Sequence, residues 1–168
     1  MKKHLNLSLL IGIVLGGMAA LPIGFGLGVY YLPILVASEG ASDSVVAAAK
    51  SEAMIKAKFR RDLPGSDAYH WGEGTLHLTQ EGGQYFFTLE GSVSPGPDYK
   101  LYLMPEYVED EAGFLAIKAR SVRVADITGF DNSRVDVPMS IDPTQYPAVI
   151  IWCERFREFI TAGRLETK

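Results

Sequence analysis

GTLHLTQEGGQYFFTLEGSV, residues 74–93, decides how the chain folds. In its first run Leu76 and Leu78 fall on one side, and Thr75, His77 and Thr79 on the other. Strict alternation of this kind is the signature of a half-buried strand. EGG follows, and then a second run rich in aromatic and β-type residues, QYFFTLEGSV. Two such runs around a glycine turn predict a β-hairpin.

The same texture continues outward. SPGPD is a turn, and YKLYLMP a strand with Leu101 and Leu103 on one side. EYVEDEAG is an acidic stretch, expected as a solvated loop. FLAIKARSVRVADI holds extended pieces, of which FLAIKA also fits one or two helical turns. RVDVPM is a short strand, DPTQYP a turn, AVIIWC a near-continuous buried strand and REFITAGRL a last strand. Seven or eight short strands predict an all-β, antiparallel β-sandwich or barrel-like domain.

Ahead of this domain the composition changes twice. Leu5 through Ser38 carry no charge, a run of 34 residues. About 20 apolar residues span a bilayer, whereas the apolar region of a secretory signal has roughly 7–15. The length argues for an uncleaved transmembrane helix, although VAS before Glu39 resembles a cleavage site. The span is expected near Leu7 to Tyr30, with Pro33 marking the exit. Lys2 and Lys3 should stay cytoplasmic, which places the C-terminal domain in the periplasm or outside the cell. Gly12, Gly16, Ala20, Gly24 and Gly28 form a small-residue stripe that could support a homodimer. Glycine is common in membrane helices and Pro22 interrupts the stripe, so composition alone also explains it. Ser42 to Arg60 is alanine-rich, free of glycine and proline, and capped by Ser42 or Ser44. It reads as a helix, serving as a stalk or packing on the domain. The expected organisation is an anchor over 1–38, a helical linker over 39–57 and a β domain over 58–168.

Composition excludes several function classes. Net charge is −4, from 16 basic and 20 acidic residues, and no basic run follows the N-terminus, which argues against nucleic-acid binding. There is no G-x-S-x-G, H-E-x-x-H or phosphate-binding glycine loop. His4, His70 and His77 show no metal-ligand spacing, so no metal site is expected. Tyr69, His70 and Trp71 could line a site, but large aromatics mostly pack in cores.

One cysteine, Cys153, ends the apolar run VIIWC and precedes Glu154 and Arg155. It admits two readings. Free cysteine is among the most buried residue types, which favours packing. An odd cysteine outside the cytoplasm points instead to a reactive thiol. If strand alternation continued, Arg155 and Arg157 would share the face of Cys153 and favour a thiolate, while Trp152 would point the other way.

FRRDLPGSDAYHWGEGTLHL, GPDYKLYL and VIIWCERF followed by FITAGRL together resemble the DM-thirteen domain family, an extracytoplasmic electron-transfer module. The resemblance covers Lys58 to Leu165. It rests most on the spacing of Tyr146, Val149, Ile151, Trp152, Cys153 and Phe156. It implies an all-β fold and redox chemistry at Cys153, as a bare thiol or through a group such as haem. In the haem case His70 or Met104 could supply a second ligand. The expected function is therefore a membrane-anchored redox module that meets a redox partner protein. The alternative is a non-catalytic β domain that binds a ligand or protein and keeps Cys153 in its core.

Overall fold

The structure, a computed structural model, describes residues 6–167. Helix α1 (Leu7–Leu35) has 29 residues and buries none of them. At 1.5 Å per residue it is about 43 Å long, beyond the roughly 30 Å of a hydrocarbon core. It is long and apolar enough to cross a membrane. The helix runs through both prolines, Pro22 and Pro33, and ends two residues after the second, at Leu35. A proline in the last turn removes one donor, and the helix still closes with the Val36 N–H on the Leu32 carbonyl at 3.1 Å. A Cβ added at Gly12, Gly16, Gly24 or Gly28 would meet nothing within 4 Å, so that stripe is unpacked within the chain. Lys2 and Lys3 lie outside the described residues.

The expected helix from Ser42 to Arg60 is shorter than its composition suggests. Helix α2 covers Asp43–Glu52 only, and strand β1 takes Ile55–Phe59. Ser42 stands at the N-cap, but its hydroxyl bonds Ser44 Oγ at 3.0 Å rather than the backbone. Ile55, Ala57 and Phe59 are buried while Lys56 and Lys58 are not. This alternation lets the segment pair with a strand on either side, and that pairing outweighs its helix propensity.

The remaining strands are β2 (Gly72–Glu81), β3 (Gln84–Val93), β4 (Tyr99–Met104), β5 (Val122–Ile127), β6 (Arg134–Asp136), β7 (Ala148–Cys153) and β8 (Glu158–Thr167). They form one antiparallel sheet in the order β5-β4-β7-β8-β1-β2-β3-β6, which curls into a nearly closed barrel. The hairpin is as expected. β2 and β3 pair from Gly72↔Val93 to Glu81↔Gln84, around Gly82 and Gly83 at φ 57° and 89°. Positive φ at both positions is what a two-residue hairpin turn needs.

Two cores result. Leu76, Leu78, Phe87, Leu89, Leu101, Leu103, Val149 and Ile151 fill the barrel. Outside it, helix α3 (Glu111–Ile117) covers Tyr102, Met104, Ile150, Trp152 and Phe159 with Phe114 and Ile117. This explains why AVIIWC is apolar throughout: both faces of β7 are covered. It also corrects the reading of EYVEDEAG as a solvated loop. Asp110 caps α3 by accepting the Gly113 N–H at 2.7 Å, and the helix starts inside the acidic stretch.

The linker is docked, not a free stalk. Val46 and Ala49 are buried against the outer face of β2 and β3. Lys50 Nζ donates to Glu90 Oε1 at 2.7 Å, and the buried His77 Nε2 lies 3.0 Å from Glu90 Oε2. These partners hold the Glu90 carboxyl below its usual value of 4.5, Lys50 first and His77 second. A depressed folded pKa stabilises above the unfolded value and ceases to as pH falls through the folded one. Stability should therefore drop on acidification from pH 4.5 downward, and Glu90→Gln should flatten that part of the curve in denaturant melts across pH.

Candidate functional site

Strand polarity gathers the four loops that follow β1, β3, β5 and β7 at one end of the barrel. β4 begins there at Tyr99 and β7 ends there at Cys153, the two being directly paired. β8 begins there at Glu158, paired with Cys153 from the other side. The segment 67–71 leads into β2 at the same end, and Pro95–Asp98 leads into β4. Cys153 is 2% exposed, and its side chain belongs to the barrel interior rather than to the face of Trp152.

A cavity of about 160 Å³ opens at this end. Its domain side is formed by Cys153, Tyr99, His70, Tyr69, Phe156 and the Pro95–Pro97 turn, and Gly26, Val29 and Tyr30 of α1 line its outer side. The turn must approach closely. A Cβ on Gly96 would sit 2.3 Å from the Tyr99 ring, so only glycine lets the backbone cover that ring.

The thiol is held neutral. Burial pushes the Cys153 pKa above its ordinary 9.0. Backbone N–H groups of Phe156 and Arg155 pull it back only in part, and the charge of Asp98 adds to the rise. Burial also drives Tyr99 up to about 12, so the phenol beside the thiol stays protonated. The expected help from Arg155 and Arg157 is absent. The strand stops at Cys153, Arg157 turns at φ 57°, and both arginines are exposed.

His70 is the second chemical group. Its Nδ1 lies 3.0 Å from Asp67 Oδ2. Asp67 Oδ1 accepts the backbone N–H of Tyr69 at 2.6 Å and of His70 at 2.7 Å. Burial raises the Asp67 pKa, but His70 and these two N–H groups outweigh it and hold the carboxyl below its usual 3.8. An ionised carboxylate can only accept, so Nδ1 donates and Nε2 is left as the basic nitrogen of the ring. Glu158, near the same ring, is raised by burial and then by a shared hydrogen bond with Glu111. The site thus brings an oriented imidazole and a neutral thiol to one cavity.

The other expectations fare differently. Met104 lies at the far end of β4 on the outer face, as the last of the six residues of a strand that begins at the site end. Tyr69 and Trp71 are not core: Tyr69 is 75% exposed, and Trp71 carries the Arg61 guanidinium at 3.6 Å. A haem does not fit this site. The cavity falls well below the roughly 300–1,000 Å³ of pockets that hold drug-sized ligands, although His70, one of the two alternative second ligands, does line it. Among the described residues, no group of three or more His, Cys, Asp or Glu side chains is placed to hold a metal ion. Asp67 was not singled out in the sequence, although an Asp three residues before a His is a recognisable turn pattern.

The family model described as "Electron transfer DM13" matches residues 58–165. No curated protein and no solved structure gives a significant match.

Proposed function

Since the chain belongs to the DM13 electron-transfer family, we propose that Cys153 is its redox group, carried by a membrane-anchored domain. One observation supports this above the rest: Cys153 and the Asp67-oriented His70 line the same cavity. A neutral thiol is a poor nucleophile, and a neighbouring base converts it to the reactive thiolate. His70 Nε2 takes the thiol proton. The thiolate then attacks one sulfur of a disulfide acceptor. A new S–S bond forms to Cys153 as the acceptor's own S–S bond breaks, and the departing thiolate recovers the proton. The span α1 would hold the domain at the membrane, with Lys2 and Lys3 on the cytoplasmic side and the barrel on the other.

A small aromatic disulfide, 4,4′-dithiodipyridine, tests this through the chromophore its reduction releases. Native full-length protein in detergent should react below the pH at which the thiol ionises unaided. His70→Asn should slow that reaction about 10²-fold, the low end of a general-base contribution. The 2% exposure of Cys153 favours a second reading, in which the sulfur only packs. In that case the thiol reacts only after unfolding, and His70→Asn changes nothing.

A further inference from the structure

We infer that the barrel end carrying the Cys153 cavity rests on the surface of the bilayer that α1 spans, so that phospholipid headgroups cover the cavity mouth. The inference depends on the reading of α1 as a membrane span.

The connection between helix and barrel is the first observation. α1 ends at Leu35, and Ser38 is already bound to the loop after β5: its N–H reaches the Thr128 carbonyl at 3.0 Å and its hydroxyl the Thr128 hydroxyl at 2.9 Å. The Ala41 N–H reaches the Asn132 carbonyl at 2.7 Å. β5 ends at Ile127, paired with Tyr99, so this loop belongs to the cavity's end of the barrel. No length of free chain separates the span from that end.

Depth is the second. About 20 residues of α1 cross the hydrocarbon, which from Leu7 ends near Gly26. Gly26, Val29 and Tyr30, which line the cavity's outer side, therefore lie at the headgroup boundary. Tyr30 and Tyr31 pack edge to face there, at 5.1 Å, as aromatic side chains do at membrane interfaces.

The chemistry of the barrel's own rim is the third. Tyr69 is 75% exposed and Phe156 49%, both at this end. Arg155 shares a cavity with Leu32 and Pro33 of α1 and with Val36 just past its end, where its stem can follow apolar surface while its guanidinium meets phosphate. The acidic groups at this end are mostly tied to partners: Asp67 to His70, Asp98 and Asp126 to Lys100, and Glu154 to Lys118, while Glu158 lies against Glu111 and Asp131 is exposed to water. The opposite end of the barrel carries a matched control in Met139, which is 89% exposed.

Full-length protein in phosphatidylcholine nanodiscs containing headgroup-nitroxide phosphatidylcholine tests the inference. Tryptophan is introduced singly by Tyr69→Trp, Phe156→Trp, Met139→Trp and Tyr30→Trp, and its added emission is compared with the parent protein. Quenching at positions 69 and 156 should exceed that at 139 by at least about twofold. Equal quenching at the three barrel positions, with Tyr30→Trp quenched, overturns the surface contact and leaves the span intact. Absence of quenching at Tyr30→Trp overturns the span and the contact together. The disulfide-exchange assay reads the redox proposal independently of either result.

Discussion

Trp152→Ala will destabilise the protein by about 3–5 kcal/mol, the usual cost of emptying a large aromatic site in a core. Trp152 is fully buried, and its ring packs on Phe114 at 4.9 Å between centroids. Lys118 Nζ lies over the same ring at 5.6 Å. The indole is the largest side chain joining α3 to the sheet, so its loss leaves a cavity on the sheet's outer face that α3 can close only by shifting. Phe114→Ala in the same background should cost less than it does alone, because the two residues share one contact. Denaturant melts of the four proteins of that cycle measure both effects. Trp152 faces away from the cavity, so native thiol reactivity should survive at denaturant concentrations where the variant remains folded.

Cys153→Ser should abolish disulfide exchange completely and cost about 1–2 kcal/mol. The first effect follows from the proposal, since the chain has no other cysteine. The second follows from burial: a hydroxyl at 2% exposure is dehydrated where the sulfur behaves as a small hydrophobe. Phe156 and Arg155 N–H groups can still bond the oxygen, which keeps the cost at the lower end of the range for buried polar groups. Melting curves and the chromogenic assay, run on one preparation, separate the two effects. Residual exchange in Cys153→Ser would remove the cysteine from the mechanism.

The parts of the fold legible in the chain are those whose pattern is local. Leu76 and Leu78 against Thr75, His77 and Thr79 mark the hairpin, and Gly82-Gly83 marks its turn. The unbroken apolar run of β7 announces a strand covered on both sides, but it does not say by what. β1 was hidden because alanine and lysine at Lys56–Lys58 suit a helix, and only two neighbouring strands remote in sequence make it a strand. The start of α3 was hidden by its acids, which cap and flank a helix as readily as they line a loop. The DM13 resemblance at Cys153 was readable from spacing, and so was the opposite orientation of Trp152. The nearness of His70 to Cys153 was not. It arises when curling of the sheet brings the approach to β2 beside the end of β7, and no local pattern encodes that meeting.

The position of β1 sets where the chain can be cut. The region that matches the family model begins at residue 58, yet Ile55, Lys56 and Ala57 pair with β2 on one side and β8 on the other. A fragment beginning at Lys58 would lose most of a strand from the middle of the sheet. Two unpaired edges would open, each a template for pairing with another copy. Such a fragment is expected to precipitate or form higher oligomers, whereas one beginning ahead of α2 should stay monomeric by size-exclusion chromatography. The smallest self-sufficient unit is therefore longer than the stretch that identifies the family.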